Sequence, residues 1–384
     1  MRRTAVFILA VIVIFIIAIS TVLYVVHLGR IGPKTLIVPD DYATIEWAVG
    51  NATAGDTVYV KSGTYNERSF VIDKPLSFIG ENSSNTILIG GFEGIRGGGS
   101  TVGIKADNIT VSGFTIRSYD FDTPAWYFFG VYVGGNNCNI TGNIIENCDC
   151  GIWNGGSLST VSSVRISKNT IRDNLHAGIE FEGTPYNITI TDNTIESNLV
   201  GITISRYGFH GSENKVRFVV SGNNVINNGQ GIYLDSSSSL IIGNNVTSNT
   251  GAGIHVIGGS NNTISGNYVA DNKVGVTFSG STTTDNMFYS NSFIDNDQNV
   301  QITSTNYTEI WDNGAVGNYW SDYNGTDTDG DVIGDTPYVI DENNQDNYPL
   351  MKPVDIKTIP EFSSGIILPV VVTATLVSMV CKRD

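Results

Sequence analysis

The chain is predicted to be an all-β parallel solenoid, wound as stacked coils of about 25 residues, and three recurring blocks predict it. The first is Ile140-Thr-Gly-Asn143-Ile-Ile145, repeated around Asn169, Asn193, Asn223, Asn244, Asn267 and Asn291 at spacings of 26, 24, 30, 21, 23 and 24 residues. The second is a polar column five residues further on: Asn174, Asn198, Asn228, Asn249, Asn272 and Asn296, with Cys148 in the first copy. The third is a glycine followed by an aliphatic residue, from Gly151-Ile152 to Gly275-Val276. Apolar residues at i and i+2 of a short strand share a face, and Gly and Asn supply the tight corners. Stacking such coils lays like residues over like, so that Ile columns form the core and Asn amides form ladders. The apolar periodicity of helical solenoids is missing, as is the nine-residue period of calcium-binding rolls.

At the N-terminus Arg2-Arg3 precedes an apolar run from Ala5 to Val26, long enough to cross a bilayer core, and the arginines are expected to stay cytoplasmic. This segment, 1–30, is read as an uncleaved anchor or a cleaved signal. Next, Tyr42–Ala52 reads as a short helix, and Thr57–Val60, Leu76–Ile79 and Thr86–Ile89 as strands. The coils are expected over 31–302 and an Asp-rich segment over 303–352. A second apolar stretch, Gly365–Val380, lies within 353–384 between Pro360-Glu361-Phe362 and Lys382-Arg383. Nine Asn-x-Ser/Thr sequons, Asn51 and Asn324 being the outermost, agree with export and glycosylation. The net charge of −16, with no basic stripe, argues against a nucleic-acid partner.

Two resemblances add to this. Gly55-Asp-Thr-Val-Tyr-Val60, Gly63-Thr-Tyr-Asn-Glu67 and Lys74-Pro-Leu76 resemble the opening of NosD-like and pectinase-like β-helix families, and the repeats match the generic right-handed β-helix repeat. Gly317–Tyr323 and Asp335–Tyr338 resemble a segment that follows archaeal NosD-like helices. This resemblance implies a right-handed parallel β-helix, to which the two apolar runs add terminal membrane helices. It assigns no activity, because lyases, hydrolases, epimerases, copper-system proteins and adhesins share the fold. The C-terminal stretch resembles the archaeal Pro-Glu-Phe sorting signal, which implies processing by an archaeosortase-type enzyme. Pectin methylesterase motifs are missing, and Gly208-Phe209-His210-Gly211 only echoes the Gly-His-Gly turn of polygalacturonases.

Chemistry is expected on the outward column that follows each glycine block: Tyr132, Trp153, Glu180, Thr203, Tyr233, His255 and Thr277, with Glu182, Ser205 and Asp235 beside it. Aromatic rings next to carboxylates suit sugars, so Tyr132, Trp153, Glu180, Tyr233 and, on a long insert, Trp126 are the candidate carbohydrate contacts. Glu180 and Glu182, with His210 on a second insert, are the candidate catalytic groups, although alternating acids on an outward strand more simply serve to solvate it. Asp327, Asp329, Asp331 and Asp335, with the Ile333 carbonyl, follow the ligand spacing of a calcium loop, except that Val332 stands where glycine is usual and Tyr338 where the closing Glu is. Cys138, Cys148 and Cys150 are expected to supply one disulfide, or with His176 a soft-metal site such as the NosD-like resemblance would suit. The function these readings imply is a membrane-anchored protein on the outer side of the cell membrane that binds a glycan or envelope component. A polysaccharide lyase or hydrolase, or a copper-handling accessory protein, is the alternative.

Overall fold

The computed structural model describes residues 15–21, 32–67, 69–91, 99–118, 128–156, 159–205, 218–280, 283–303 and 308–354. Three sheets of 11 strands each run the length of the stack, and within each the neighbouring strands are parallel and come from successive turns of the chain. Sheet A begins at Thr35–Val38 and ends at Met287–Tyr289; sheet B runs from Gly63–Asn66 to Tyr319–Trp320; sheet C runs from Phe70–Ile72 to Gln298–Ile302.

Most turns thus contribute one strand to each sheet, and the interior is a set of aliphatic columns. Ile140, Ile166, Ile190 and Val220 stack in sheet A. Ile145, Ile171, Ile195 and Val225 do so in sheet B. All eight are fully buried.

The corner between sheets A and B shows why Asn recurs. A residue in the left-handed region, such as Lys168 (φ 56°), Asp192 (φ 56°) or Gly222 (φ 64°), turns the chain, and the next residue is the ladder Asn. The side-chain oxygen of each ladder Asn accepts from the backbone N–H and side-chain amide of the Asn one coil earlier, at 2.9–3.1 Å from Asn143 to Asn244. Its own amide also closes the corner, as when Asn223 donates to the carbonyls of Ile190 and Ser221. The second column forms a like ladder from Asn174 to Asn296. A third, shorter one joins Asn262 to Asn286. Corner donors and acceptors that water cannot reach are thereby paired.

Both ends of the stack are covered. The helix Ile45–Asn51 is capped by Thr44, whose hydroxyl accepts from the Trp47 N–H at 3.2 Å, and by Glu67, which accepts from the Ile45 N–H at 2.8 Å. It buries Ile45, Ala48 and Val49 against the first coils. At the other end the core turns aromatic: Phe288 stacks on Trp311 (4.8 Å) and Phe293 on Trp320 (4.6 Å).

The coils do not stop at Ile302. Trp320 stands in register over Phe293, and the first ladder continues through Asn318 to Asp346. The Asp-rich segment is therefore the lid of the solenoid.

Among the described residues no helix is long and apolar enough to cross a membrane. Of the predicted N-terminal span only Phe15–Thr21 is described, as helix with Phe15, Ile16, Ile17 and Ile19 exposed. The C-terminal span lies outside the described residues.

Candidate functional site

The column lines up in register as the repeat predicts, but Glu180, Thr203 and Thr277 within it are buried, and Tyr132, Trp153, Tyr233 and His255 are half-buried. Tyr132 stands beside Trp153, Trp153 beside Glu180, Glu180 beside Thr203, Thr203 beside Tyr233 and Tyr233 beside His255. The flanking column of Glu182, Ser205 and Asp235 is in register as well. Trp126 and His210 lie outside the described residues.

Aromatic surface is concentrated at the N-terminal part of the column. Tyr132 borders a cleft of about 290 Å³, whose walls include Asn136, Asn154, Ser159 and Thr160. Two glycines make room for the ring: a Cβ on Gly134 would come within 2.8 Å of Tyr132 Cε1, and one on Gly155 within 3.0 Å of Cε2. Trp153 lies against Phe129, ring centroids 4.1 Å apart, and at 59° to Tyr132. The two half-buried rings are thus separate platforms. Asn154 fills an inward position without cost, because its amide exchanges two hydrogen bonds with the Glu182 backbone, at 2.8 and 2.9 Å. Further along, His255 is held between Gln230 Oε1 (3.3 Å) and Ser279 Oγ (2.7 Å).

Glu180 departs from the sequence reading. Only 8% of it is exposed, so it does not solvate the strand. The reason is a break in the alternation at the glycine column. Phe129, Cys150 and Ala177, each preceding a glycine, leave the main core and form a small apolar cluster with Trp153 beside Glu180. Cys150 Sγ donates to Glu180 Oε2 at 3.0 Å, and His176 Nδ1 lies 3.5 Å from both Cys150 Sγ and Glu180 Oε2. Burial opposes ionisation of Glu180, yet the hydrogen bonds from His176 and Cys150 hold it below the usual carboxylate range. His176 is held above the usual range by its bond to Glu180. The Cys150 thiol is pushed up, first by burial and then by the charge of Glu180. Glu182 is also pushed up, by burial and by Glu180.

The disulfide expectation is overturned: Cys138, Cys148 and Cys150 are free. They stand in three different surroundings. Cys138 Sγ donates to the Ala106 and Asn136 carbonyls and Cys148 Sγ to that of Glu146, while Cys150 faces Glu180.

In the acidic loop Asp327, Asp329 and Asp331 each present an oxygen within 4.8 Å of the others. Asp335 does not join them. Its carboxylate accepts from the Thr326 and Thr328 hydroxyls and from the Thr328 N–H. Tyr338 replaces the closing Glu because its ring belongs to the lid, stacked 4.4 Å from Trp320. Val332 sits at φ 74°, a conformation unfavourable for a branched side chain, and is 37% exposed. Relief of roughly 1–2 kcal/mol of strain outweighs the backbone entropy that glycine adds to the unfolded chain. Val332→Gly is therefore expected to stabilise by about 0.5–1 kcal/mol, read as a rise in the urea midpoint; a fall would contradict the strain argument.

The fold and its outward stripe define a right-handed parallel β-helix that displays polar and aromatic side chains along one sheet. Residues 54–217 match the family described as the right-handed beta helix region, and residues 154–325 match the one described as periplasmic copper-binding protein (NosD). The helix is thus NosD-like. A stretch of 59 residues is 42% identical to the probable ABC transporter binding protein NosD of Pseudomonas aeruginosa, covering 15% of this chain and 14% of that protein. The chain therefore matches only a small part of that curated relative. Among solved structures, ORF18 of Geobacillus virus E2 aligns with a TM-score of 0.56 at 14% identity, over 78% of this chain and 66% of that one. The tailspike gp49 of Acinetobacter baumannii bacteriophage Fri1, a capsular polysaccharide depolymerase, aligns with a TM-score of 0.53 at 7% identity, over 75% of this chain and 58% of that one. At these identities the likeness is one of fold.

Proposed function

We propose that the protein works outside the cytoplasmic membrane, anchored there by its apolar ends, and binds carbohydrate on the outward face of sheet C. One observation carries this reading: the Tyr132 ring, seated on glycines, forms the wall of a cleft whose other walls include the Asn136 side chain, Ser159, Thr160 and Val161. A sugar ring has an apolar face that stacks on an aromatic ring and a rim of hydroxyls that needs such partners. The tilt between Tyr132 and Trp153 suits two consecutive sugar units, each on its own ring, better than one unit across both.

The test is a glycan array followed by calorimetry on the best ligand. Tyr132→Ala is expected to weaken binding about tenfold, on the order of one aromatic contact, while thermal melting stays close to that of the wild type. Trp153→Ala is expected to do the same with a modest loss of stability, because Phe129 loses its stacking partner. Variants that fold and bind normally would place the ligand elsewhere.

A second reading, copper handling, is favoured by the match of residues 154–325 to the NosD description. Stoichiometric retention of copper by the purified protein would support it, and complete loss on desalting would count against it.

A further inference from the structure

We propose that Cys150, His176 and Glu180 form a mononuclear site for a thiophilic d-block cation, zinc or copper. The inference stands on geometry and donor chemistry and is independent of the sugar cleft.

Three ligand atoms of the types such ions take converge on one point: a thiol sulfur, an imidazole nitrogen and a carboxylate oxygen. Bond lengths of about 2.3 Å to sulfur and about 2.0–2.1 Å to nitrogen and oxygen imply tetrahedron edges of roughly 3.3–3.6 Å. Two edges of the triangle formed by the three atoms, Cys150–His176 and His176–Glu180, are already 3.5 Å. The third, Cys150–Glu180, is 3.0 Å and is bridged by the thiol proton, so an ion takes the place of that proton, which is released to solvent, and spreads the pair by about half an ångström.

The scaffold is firm and the access one-sided. Cys150 and Glu180 belong to neighbouring strands of sheet C, Cys150–Trp153 and Ala177–Glu182, and His176 immediately precedes the second. Phe129, Ala177 and Trp153 pack around the sulfur, which strengthens charge interactions by excluding water. The His176 side chain is 51% exposed and marks the side from which an ion and a fourth ligand can enter. Calcium and magnesium prefer all-oxygen shells, so the sulfur and nitrogen donors select against them. The site differs in kind from the Asp327–Asp331 cluster, whose donors are all oxygen.

The experiment uses the full chain purified in detergent, with Cys381→Ser as background to remove the tail thiol. Metal-free protein is equilibrated with zinc, with copper held reduced, or with copper(II), then dialysed and analysed for bound metal. One equivalent is expected to be retained. Cobalt(II) in place of the ion should show a near-ultraviolet sulfur-to-metal band. Cys150→Ser and His176→Gln are each expected to weaken retention at least 100-fold, since even outer partners of metal ligands are worth 10- to 100-fold. His176 is half exposed, so His176→Gln keeps the test valid should Cys150→Ser fail to fold. Asp329→Asn should leave retention unchanged. Failure of the wild type to retain any of the three ions, or equal retention by folded Cys150→Ser and His176→Gln, would overturn the site. Copper retained equally by both variants would sink the site and leave the copper-handling reading standing. Zinc retained without copper would do the reverse.

Discussion

Asn223→Ala is expected to destabilise the protein by about 3–5 kcal/mol, among the largest effects available to a single truncation of an uncharged side chain here. The Asn223 side-chain oxygen is the acceptor for both the backbone N–H and the side-chain amide of Asn193, at 3.0 and 2.9 Å. Its amide in turn serves the Ile190 and Ser221 carbonyls and Asn244. Alanine strands the buried Asn193 N–H, at a cost of about 1–3 kcal/mol, and removes one hydrogen bond each from the Asn193 amide, the Ile190 and Ser221 carbonyls and the Asn244 side-chain oxygen, at about 1 kcal/mol apiece or less. The neighbouring residue supplies the control. Asn224 is exposed and shares only a surface amide contact with Asn245, so Asn224→Ala should cost under about 0.5 kcal/mol. Urea unfolding of the two variants decides the matter: similar midpoints would mean that the ladder contributes nothing beyond the corner itself.

The second large effect concerns Asp346, which is fully buried within the lid. Its carboxylate accepts from the Asn318 N–H (2.7 Å), Trp320 Nε1 (2.9 Å) and the Tyr348 N–H (3.0 Å). Burial nevertheless pushes it up to about 6 from 3.8. Because the folded-state value is raised, its contribution to stability is complete below about pH 3.8 and is lost as the pH rises through about 6. That loss amounts to about 3 kcal/mol at one pH unit per 1.36 kcal/mol. Asp346→Asn removes the titration but turns an amide toward the Tyr348 N–H, donor against donor, costing about 1–3 kcal/mol. The wild type should therefore exceed the variant in stability at pH 4, with the gap closing by about 3 kcal/mol by pH 7. Comparing the two at each pH cancels the many exposed carboxylates that titrate in both. A gap independent of pH would show that Asp346 is ionised throughout.

The coils were legible in the sequence because their signal is geometric. The Asn143-to-Asn291 spacing fixes the turn length, and alternation after each glycine places Tyr132, Trp153, Tyr233 and His255 on one outward column. What was not legible follows from breaks in that rule. Cys150 stands on the near side of the glycine column, where alternation no longer says which way a side chain points, so its approach to Glu180 could not be deduced. Trp311, Trp320 and Asp346 lie beyond the last repeat, and only their packing shows that they close the stack. Asp335 matched a calcium spacing but satisfies the start of its own loop, which spacing alone cannot distinguish.

The ladders also give the solenoid a polarity. In every rung the amide donor points toward the C-terminal end and the acceptor toward the N-terminal end, so each column is a line of aligned dipoles. At its last rung such a column needs a group that accepts and does not donate. The column through Asn318 ends on Asp346, and the one through Asn286 on Glu309. The one through Asn296 passes to Asn299 and then to Asp322. Three columns finish on three carboxylates, each facing the positive end of its line. A coil can therefore be inserted or removed within the stack, where every rung is alike, whereas a coil added after the acids would meet acceptors where it needs donors.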